Sequence, residues 1–292
     1  MVVLVKKILH TLRVVKNNSI EEIYSMAKET PRRNRYKRDR DQKNQDQVNN
    51  ELMIEGRNAI IEALKAKRTI DKIFVLAGSN EGSIRKIIAE ARDKGIVIQE
   101  VEKVKLDSMS GSGKHQGVIA FASAHEYVEL DDILASAKEK GEDPFIIIME
   151  NLNDPHNLGA VIRTANAVGA HGVVIPKRRS VGLTAVVGKS SAGAIEYTPV
   201  AKVTNIVRTI ELLKEAGLWV ACADMDGELM YNADLKGPIA LVIGSEGEGV
   251  SRLVKENCDF VVSMPMYGEI GSLNASVAAS LLMYEVVRQR KF

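Results

Sequence analysis

The chain has 292 residues, 45% of them hydrophobic, with 40 Lys and Arg against 38 Asp and Glu. These figures suit a globular protein of about two domains able to bury sizeable cores. No apolar run approaches the ~20 residues that span a bilayer. Cys222 and Cys258 show no metal-ligand spacing. The expectation is therefore no membrane span, no metal, and two buried free thiols in a reducing cytoplasm. Met1–Val15 is interrupted by Lys6, Lys7 and Arg13 and makes a poor signal peptide. The charge is uneven: residues 1–48 hold 12 Lys and Arg against 6 Asp and Glu, and the rest 28 against 32. A basic tail on a mildly acidic body predicts a contact with something anionic, RNA being an obvious candidate.

In chain order, residues 1–20 have the spacing of a short amphipathic helix. Residues 30–50 carry almost no aliphatic side chains and read as disordered. Within them, Pro31–Arg40 is the densest positive run, either an arm for phosphates or a solvated linker. Order begins near Met53. Asn58–Lys67 has helical apolar spacing, Ile73–Leu76 reads as a strand, and Ile84–Lys94 as a helix closed by Gly95. A strand over 96–98, a short helix over 103–109 and a strand over 118–122 complete a small α/β unit, residues 51–125. Its loop Ser110–Gly117 offers Lys114 and His115 to RNA, although a loop histidine also suits a local hydrogen bond. Arg57, beside Gly56, is a second candidate RNA contact. Residues 126–143, charged and Ala-rich, read as a linker helix without a clear core.

From Pro144 to residue 292 the pattern alternates strand and helix, as in a parallel sheet covered on both faces. Strands are expected at 145–149, 173–175, 219–223, 239–243 and 260–263, with helices over 157–168, 206–216 and 273–290. Ligands in such sheets sit outside the carboxyl ends of the strands. The loops after Ile148, Ile243 and Ser263 all leave carboxyl ends and can converge on one crevice. One of them, Gly244-Ser245-Glu246-Gly247-Glu248-Gly249, is glycine-rich and acidic. It lacks the Lys of a phosphate-binding P-loop and the G-x-G-x-x-G spacing of a dinucleotide loop. Its carboxylates suit a cationic or hydroxyl-bearing ligand.

Three stretches in these loops act together: Asn151-Leu152-Asn153-Asp154-Pro155-His156-Asn157-Leu158-Gly159 with Arg163-Thr164-Ala165; Gly244–Gly249; and Met264-Pro265-Met266 with Ser272-Leu273-Asn274-Ala275-Ser276-Val277-Ala278. In kind and order they resemble the three signature motifs of the SpoU RNA 2′-O-methyltransferases, of the SPOUT class, and within it the RlmB type with its extra N-terminal RNA-binding domain. The resemblance runs from about Met53 to the C-terminus. It implies a trefoil-knotted α/β methyltransferase domain, a ribosomal-protein-like N-terminal domain, S-adenosylmethionine as cofactor, and a homodimer with each site lined by both subunits. It also implies a ribosomal substrate, a guanosine in the P loop of 23S rRNA. A transfer-RNA or other ribosomal site, or a non-catalytic RNA-binding assembly factor, are the alternatives.

By the same resemblance, Gly244, Glu246, Gly247, Met264, Ser272 and Leu273 hold the cofactor, and Arg163 is the catalytic arginine. A guanidinium does not readily lose a proton, so Arg163 is expected to bind phosphate and stabilise a developing alkoxide. Glu246 would orient Arg163 or accept the proton, Asn274 would fix a hydroxyl, and Asn153 would orient the arginine. Gly159, four residues before Arg163, leaves room beside it, and His156 and Asn157 are assigned to capping the helix. Lys177, Arg178 and Arg179 form a candidate RNA-phosphate patch. Small residues along the last helix (Ala275, Ser276, Ala278, Ala279, Ser280) suit close packing against a partner helix or within the chain.

Overall fold

The computed structural model describes residues 52–80, 82–269 and 271–292. The helix expected over 1–20 and the disorder expected over 30–50 lie outside these residues. The first sheet is built from β1 (Met53–Glu55), β2 (Ile70–Leu76), β3 (Val97–Val101) and β4 (Val118–Ala122) in the order β1-β4-β2-β3. β4 runs antiparallel to β1 and β2, and β2 parallel to β3. Helices α1 (Arg57–Lys65) and α2 (Gly82–Asp93) turn Ile60, Leu64, Ile84 and Ile87 onto Ile73 and Val75. α3 (Lys103–Met109) leads to the loop before β4. β1 was not legible beforehand, because three residues show no alternation; its pairing with β4, Met53 opposite Phe121, defines it.

The second sheet has six parallel strands in the order β10-β8-β9-β5-β6-β7. They are β5 (Phe145–Met149), β6 (Gly172–Pro176), β7 (Val200–Val203), β8 (Trp219–Leu229), β9 (Ile239–Ile243) and β10 (Phe260–Ser263). β5 and β9 are buried along their whole length, as continuous apolar runs in a doubly covered sheet should be. Alternate residues feed two cores. Phe145, Ile147 and Met149 meet α5 (Pro155–Ala167), α6 (Ala185–Ser190) and α9 (Ala275–Lys291). Ile146 and Ile148 face α4 (Leu130–Lys140), α7 (Ile206–Glu215) and α8 (Arg252–Asn257).

The segment expected as a coreless linker is corrected by α4. Leu130, Ile133 and Ala137 are buried in the second core. Their i, i+3, i+7 spacing was masked by the surrounding charge, which occupies the outer face. Gly172 lacks a Cβ because Ile133 fills that space, with atoms 2.5 and 2.9 Å from where one would stand. Upstream, the Val128 N–H donates to the Val200 carbonyl, tying this segment to β7. α6 and β7 were also unforeseen, both too short to declare a period. Because all six strands are parallel, the loops after Met149, Pro176, Val203, Ile243 and Ser263 leave one edge of the sheet.

Candidate active site

The cavity at this edge, about 240 Å³, lies between the loop after β9 and the segment joining β10 to α9. All six residues expected to hold a cofactor line it: Gly244, Glu246, Gly247, Met264, Ser272 and Leu273. Ala223, Asp224 and Met225 of β8 also line it, and nothing in the motifs pointed to them. They reach it because β8 changes register against β10 between Val261 and Val262, so its middle bows outward. The loop after β9 is closed by the Ser245 N–H on the Gly249 carbonyl (3.2 Å) and the Gly249 N–H on Ser245 (3.0 Å). A Cβ on Gly244 would overlap the Gly249 carbonyl and the Val250 nitrogen. Gly244 is therefore required by the loop's own return, not only by the approach of a ligand.

Among the described lining residues are three carboxylates, Asp224, Glu246 and Glu248, and no Lys or Arg. Burial pushes the Asp224 carboxyl up, but the Asp226 N–H and the Lys255 ammonium outweigh it and hold it below its ordinary value. The rest of the wall is apolar, notably Met264, Met266 and Leu273. A ligand with a flat apolar face and a positive centre fits this lining, as an adenine joined to a sulfonium would.

At the rim the three motifs meet in one hydrogen-bonded cluster. Glu246 Oε1 accepts from Asn157 Nδ2 (2.8 Å) and from Asn274 Nδ2. Asn274 Nδ2 also donates to Asn157 Oδ1 (3.1 Å). The Asn274 amide is oriented by α9, which it caps: its Oδ1 accepts from Ser276 N (3.0 Å), Val277 N (3.3 Å) and Ser276 Oγ (2.6 Å). With the oxygen committed to the helix, the NH2 group must face Glu246.

Several expected roles are corrected. Asn157 does not cap α5; Asp154 does, its Oδ1 accepting the His156 N–H (2.8 Å) ahead of Pro155 at the first helical position. The Asp-Pro pair was the cap signal, and it left Asn157 free for the site. Glu246 does not orient Arg163. Arg163 is exposed and has no hydrogen bond or ion pair among the described residues. It lies six residues beyond Asn157, about 9 Å further along α5 and about 120° round it. Asn153 is exposed and donates to the Asn151 carbonyl (3.4 Å) rather than to Arg163. The space at Gly159 belongs to α6, with Ser190 Cβ 2.8 Å and Ser191 N 2.9 Å from where a Cβ would stand. Ala275, Ala278 and Ala279 pack within the chain, and Ser280 Oγ meets Thr164 Oγ1 of α5 (3.0 Å).

In the small domain His115 is buried, with Nδ1 accepting the Gly117 N–H (3.0 Å) and Nε2 paired to Asp107 (2.9 Å). It braces its loop and is not presented to RNA. Arg57 Nε donates to the Gln116 carbonyl (3.0 Å) in the same loop. Lys114 is exposed there, as are Arg178 and Arg179 after β6, whereas Lys177 is half-buried.

A parallel sheet carrying an acidic, glycine-lined cavity at its carboxyl edge, preceded by a small α/β domain, defines a two-domain enzyme of the SPOUT type. The family models agree: residues 144–284 match the SpoU rRNA Methylase family, and residues 53–128 match the RNA 2′-O ribose methyltransferase substrate-binding domain. A Bacillus subtilis (strain 168) protein carrying the name TrmH family tRNA/rRNA methyltransferase YacO is 55% identical over 236 residues, 80% of this chain and 94% of that one. A TrmH family tRNA/rRNA methyltransferase of Staphylococcus haemolyticus is 48% identical over 243 residues, 82% and 96% of the two chains. Among solved structures, the SpoU methyltransferase AviRb of Streptomyces viridochromogenes in complex with AdoMet shares the fold at a TM-score of 0.51 and 24% identity, covering 81% of this chain and 89% of its own. The AdoMet-bound rRNA methyltransferase of Sinorhizobium meliloti does so at 0.51 and 22%, covering 81% and 87%. The chain belongs to the SpoU/TrmH family of S-adenosylmethionine-dependent RNA 2′-O-ribose methyltransferases.

Proposed function

We propose that this chain methylates the ribose 2′-hydroxyl of a guanosine in the P loop of 23S rRNA, in the cytoplasm and as a homodimer. The Asn157–Glu246–Asn274 cluster carries the catalytic part of this reading, since it joins all three motifs at the mouth of the cavity. Gly244, Gly247, Met264, Ser272 and Leu273 would hold S-adenosylmethionine in that cavity, where its sulfonium would supply the methyl group for the hydroxyl oxygen and leave as the neutral thioether. Glu246 Oε1 is held by two amides, and Oε2 has no hydrogen bond among the described residues. Oε2 is thus the atom that receives the 2′-hydroxyl and takes its proton. Arg163, too far round α5 to serve this copy's cluster, completes the site of a second copy, where it binds phosphate and stabilises the developing alkoxide.

A dimer is supported by α9, whose Val277, Leu281 and Tyr284 recur at i, i+4, i+7 and are 46%, 43% and 55% exposed. An apolar stripe of that kind on a terminal helix suits a partner helix. Lys114, Arg178 and Arg179, exposed in the loops before β4 and after β6, are the cations that reach RNA phosphates.

The test is methyl transfer from labelled S-adenosylmethionine to protein-free 23S rRNA, followed by nuclease digestion. A single 2′-O-methylguanosine in the P loop is expected, and Arg163→Ala should abolish it while leaving the fold intact. Label in transfer RNA alone would replace the substrate and keep the chemistry; the names of the relatives carry tRNA and rRNA alike. Cofactor binding without label in either RNA would leave a non-catalytic RNA-binding factor.

A further inference from the structure

A second cleft, about 480 Å³, opens where the two sheets meet, between the starts of β2 and β3 and the ends of β6 and β7. Five cations line it: Lys67, Arg68, Lys94, Lys177 and Lys202. Two are neutralised inside the chain. Lys202 Nζ binds Asp71 Oδ1 at 2.5 Å, and Lys94 Nζ donates to the Leu64 carbonyl and to Glu90 (3.2 Å). The side chains of Lys67, Arg68 and Lys177 have no hydrogen bond or ion pair among the described residues. Lys177 reaches across from the end of β6, its Nζ 3.2 Å from where a Cβ on Gly95 would stand. Besides Asp71, which Lys202 engages, the lining holds one carboxylate, Glu129, so the three cations converging from two domains leave this concave surface net positive, and an anion relieves that potential.

The position says which anion. β6 and β7 end on the same edge as β9 and lie two and three strands from it, about 10 and 15 Å away at ~4.8 Å per strand. A polyanion whose target ribose sits at Glu246 runs along this edge and meets the cleft within a few nucleotides. We propose that the Lys67–Arg68–Lys177 cleft is a subsite for RNA backbone phosphates flanking the methylated nucleotide. The subsite fixes register and supplies affinity without reading sequence. The assignment rests on the RNA-methylating reading above.

The experiment uses the full chain and the RNA that accepts label in the assay above. Its affinity is measured from 50 to 300 mM salt for the wild type, for K67A/R68A/K177A and for a charge-matched control. The control, K138A/K140A/K236A, removes exposed lysines at the amino ends of β5 and β9, on the opposite edge. The cleft variant is expected to bind at least about tenfold more weakly at physiological salt. Its log affinity against log salt should flatten by about 2, three contacts at about 0.7 each for single strands. S-adenosylmethionine affinity by calorimetry should stay at the wild-type value. A cleft variant that tracks the wild type and control, while the wild type methylates, overturns this assignment alone. A wild type that neither binds nor methylates RNA overturns the proposed function and this subsite with it.

Discussion

Asn274 has two separable jobs, and Asn157 shares only one of them. Both amides hold Glu246, but only Asn274 also accepts hydrogen bonds from Ser276 and Val277 at the start of α9. Asn274→Ala therefore removes a helix cap, at about 1 kcal/mol. It leaves two backbone N–H groups to water, which reaches them because the residue is exposed. For a chain of this length each kcal/mol lowers Tm by about 2–4 °C. Asn157→Ala removes two exposed hydrogen bonds and no cap, so its effect on stability should stay within about 0.5 kcal/mol. Activity should respond differently. Each variant frees Glu246 from one of its two amides, and misplacing the proposed proton acceptor should lower kcat by about 10- to 100-fold. Because both act through one carboxylate, the double variant should fall well short of the product of the singles. Thermal melts of the three variants, with single-turnover methyl transfer on the same preparations, provide the readout. Equal Tm values for Asn157→Ala and Asn274→Ala would refute the cap argument. Full activity in Asn157→Ala would refute the role of the cluster.

Gly159→Ala forces a methyl onto Ser190 where α5 crosses α6, and overpacking of that kind costs about 1–3 kcal/mol, visible as a Tm loss. The buried His171 ring accepts the Phe145 N–H at Nδ1 (3.1 Å) and pairs with Glu142 at Nε2 (3.1 Å). Burial, reinforced by the charge of Lys140, pulls its pKa below the ordinary value. The folded state therefore binds that proton less readily than the unfolded state. The stability so gained is full above about pH 6.5 and is lost as pH falls below it toward the folded value. Melts between pH 7.5 and 5 should show this loss in the wild type and a shallower one in His171→Gln; parallel curves would contradict it. Leu281→Glu, on the exposed stripe of α9, should halve the mass seen by light scattering and abolish methyl transfer while leaving S-adenosylmethionine binding intact; a variant that stays dimeric places the interface elsewhere.

The elements that could be read beforehand were those whose period outlasted their ends. β5 and β9 announced themselves as unbroken apolar runs, and α2 and α7 by their spacing and closing glycines. β1, α6 and β7, of three to six residues, carry too few side chains to show a period and exist because of their neighbours. α4 was hidden by composition: its charge dominates the average, while burial depends only on the face that Leu130, Ile133 and Ala137 share.

The chemistry of the cavity was set locally, since a glycine-rich acidic loop and a Met-Pro-Met segment carry their character wherever they fold. That is why all six expected cofactor residues line one wall. Which polar side chains touch was decided by the tertiary structure alone. A hydrogen bond requires two groups within about 3 Å, and residues 157, 246 and 274 acquire that distance only when three strand ends are brought to one edge. The same assembly turned Arg163 away from Glu246, buried His115 against Asp107, and set Lys67, Arg68 and Lys177 facing one cleft. Sequence determines the kinds of groups available and their local caps, whereas proximity between distant residues is a property of the packed sheet.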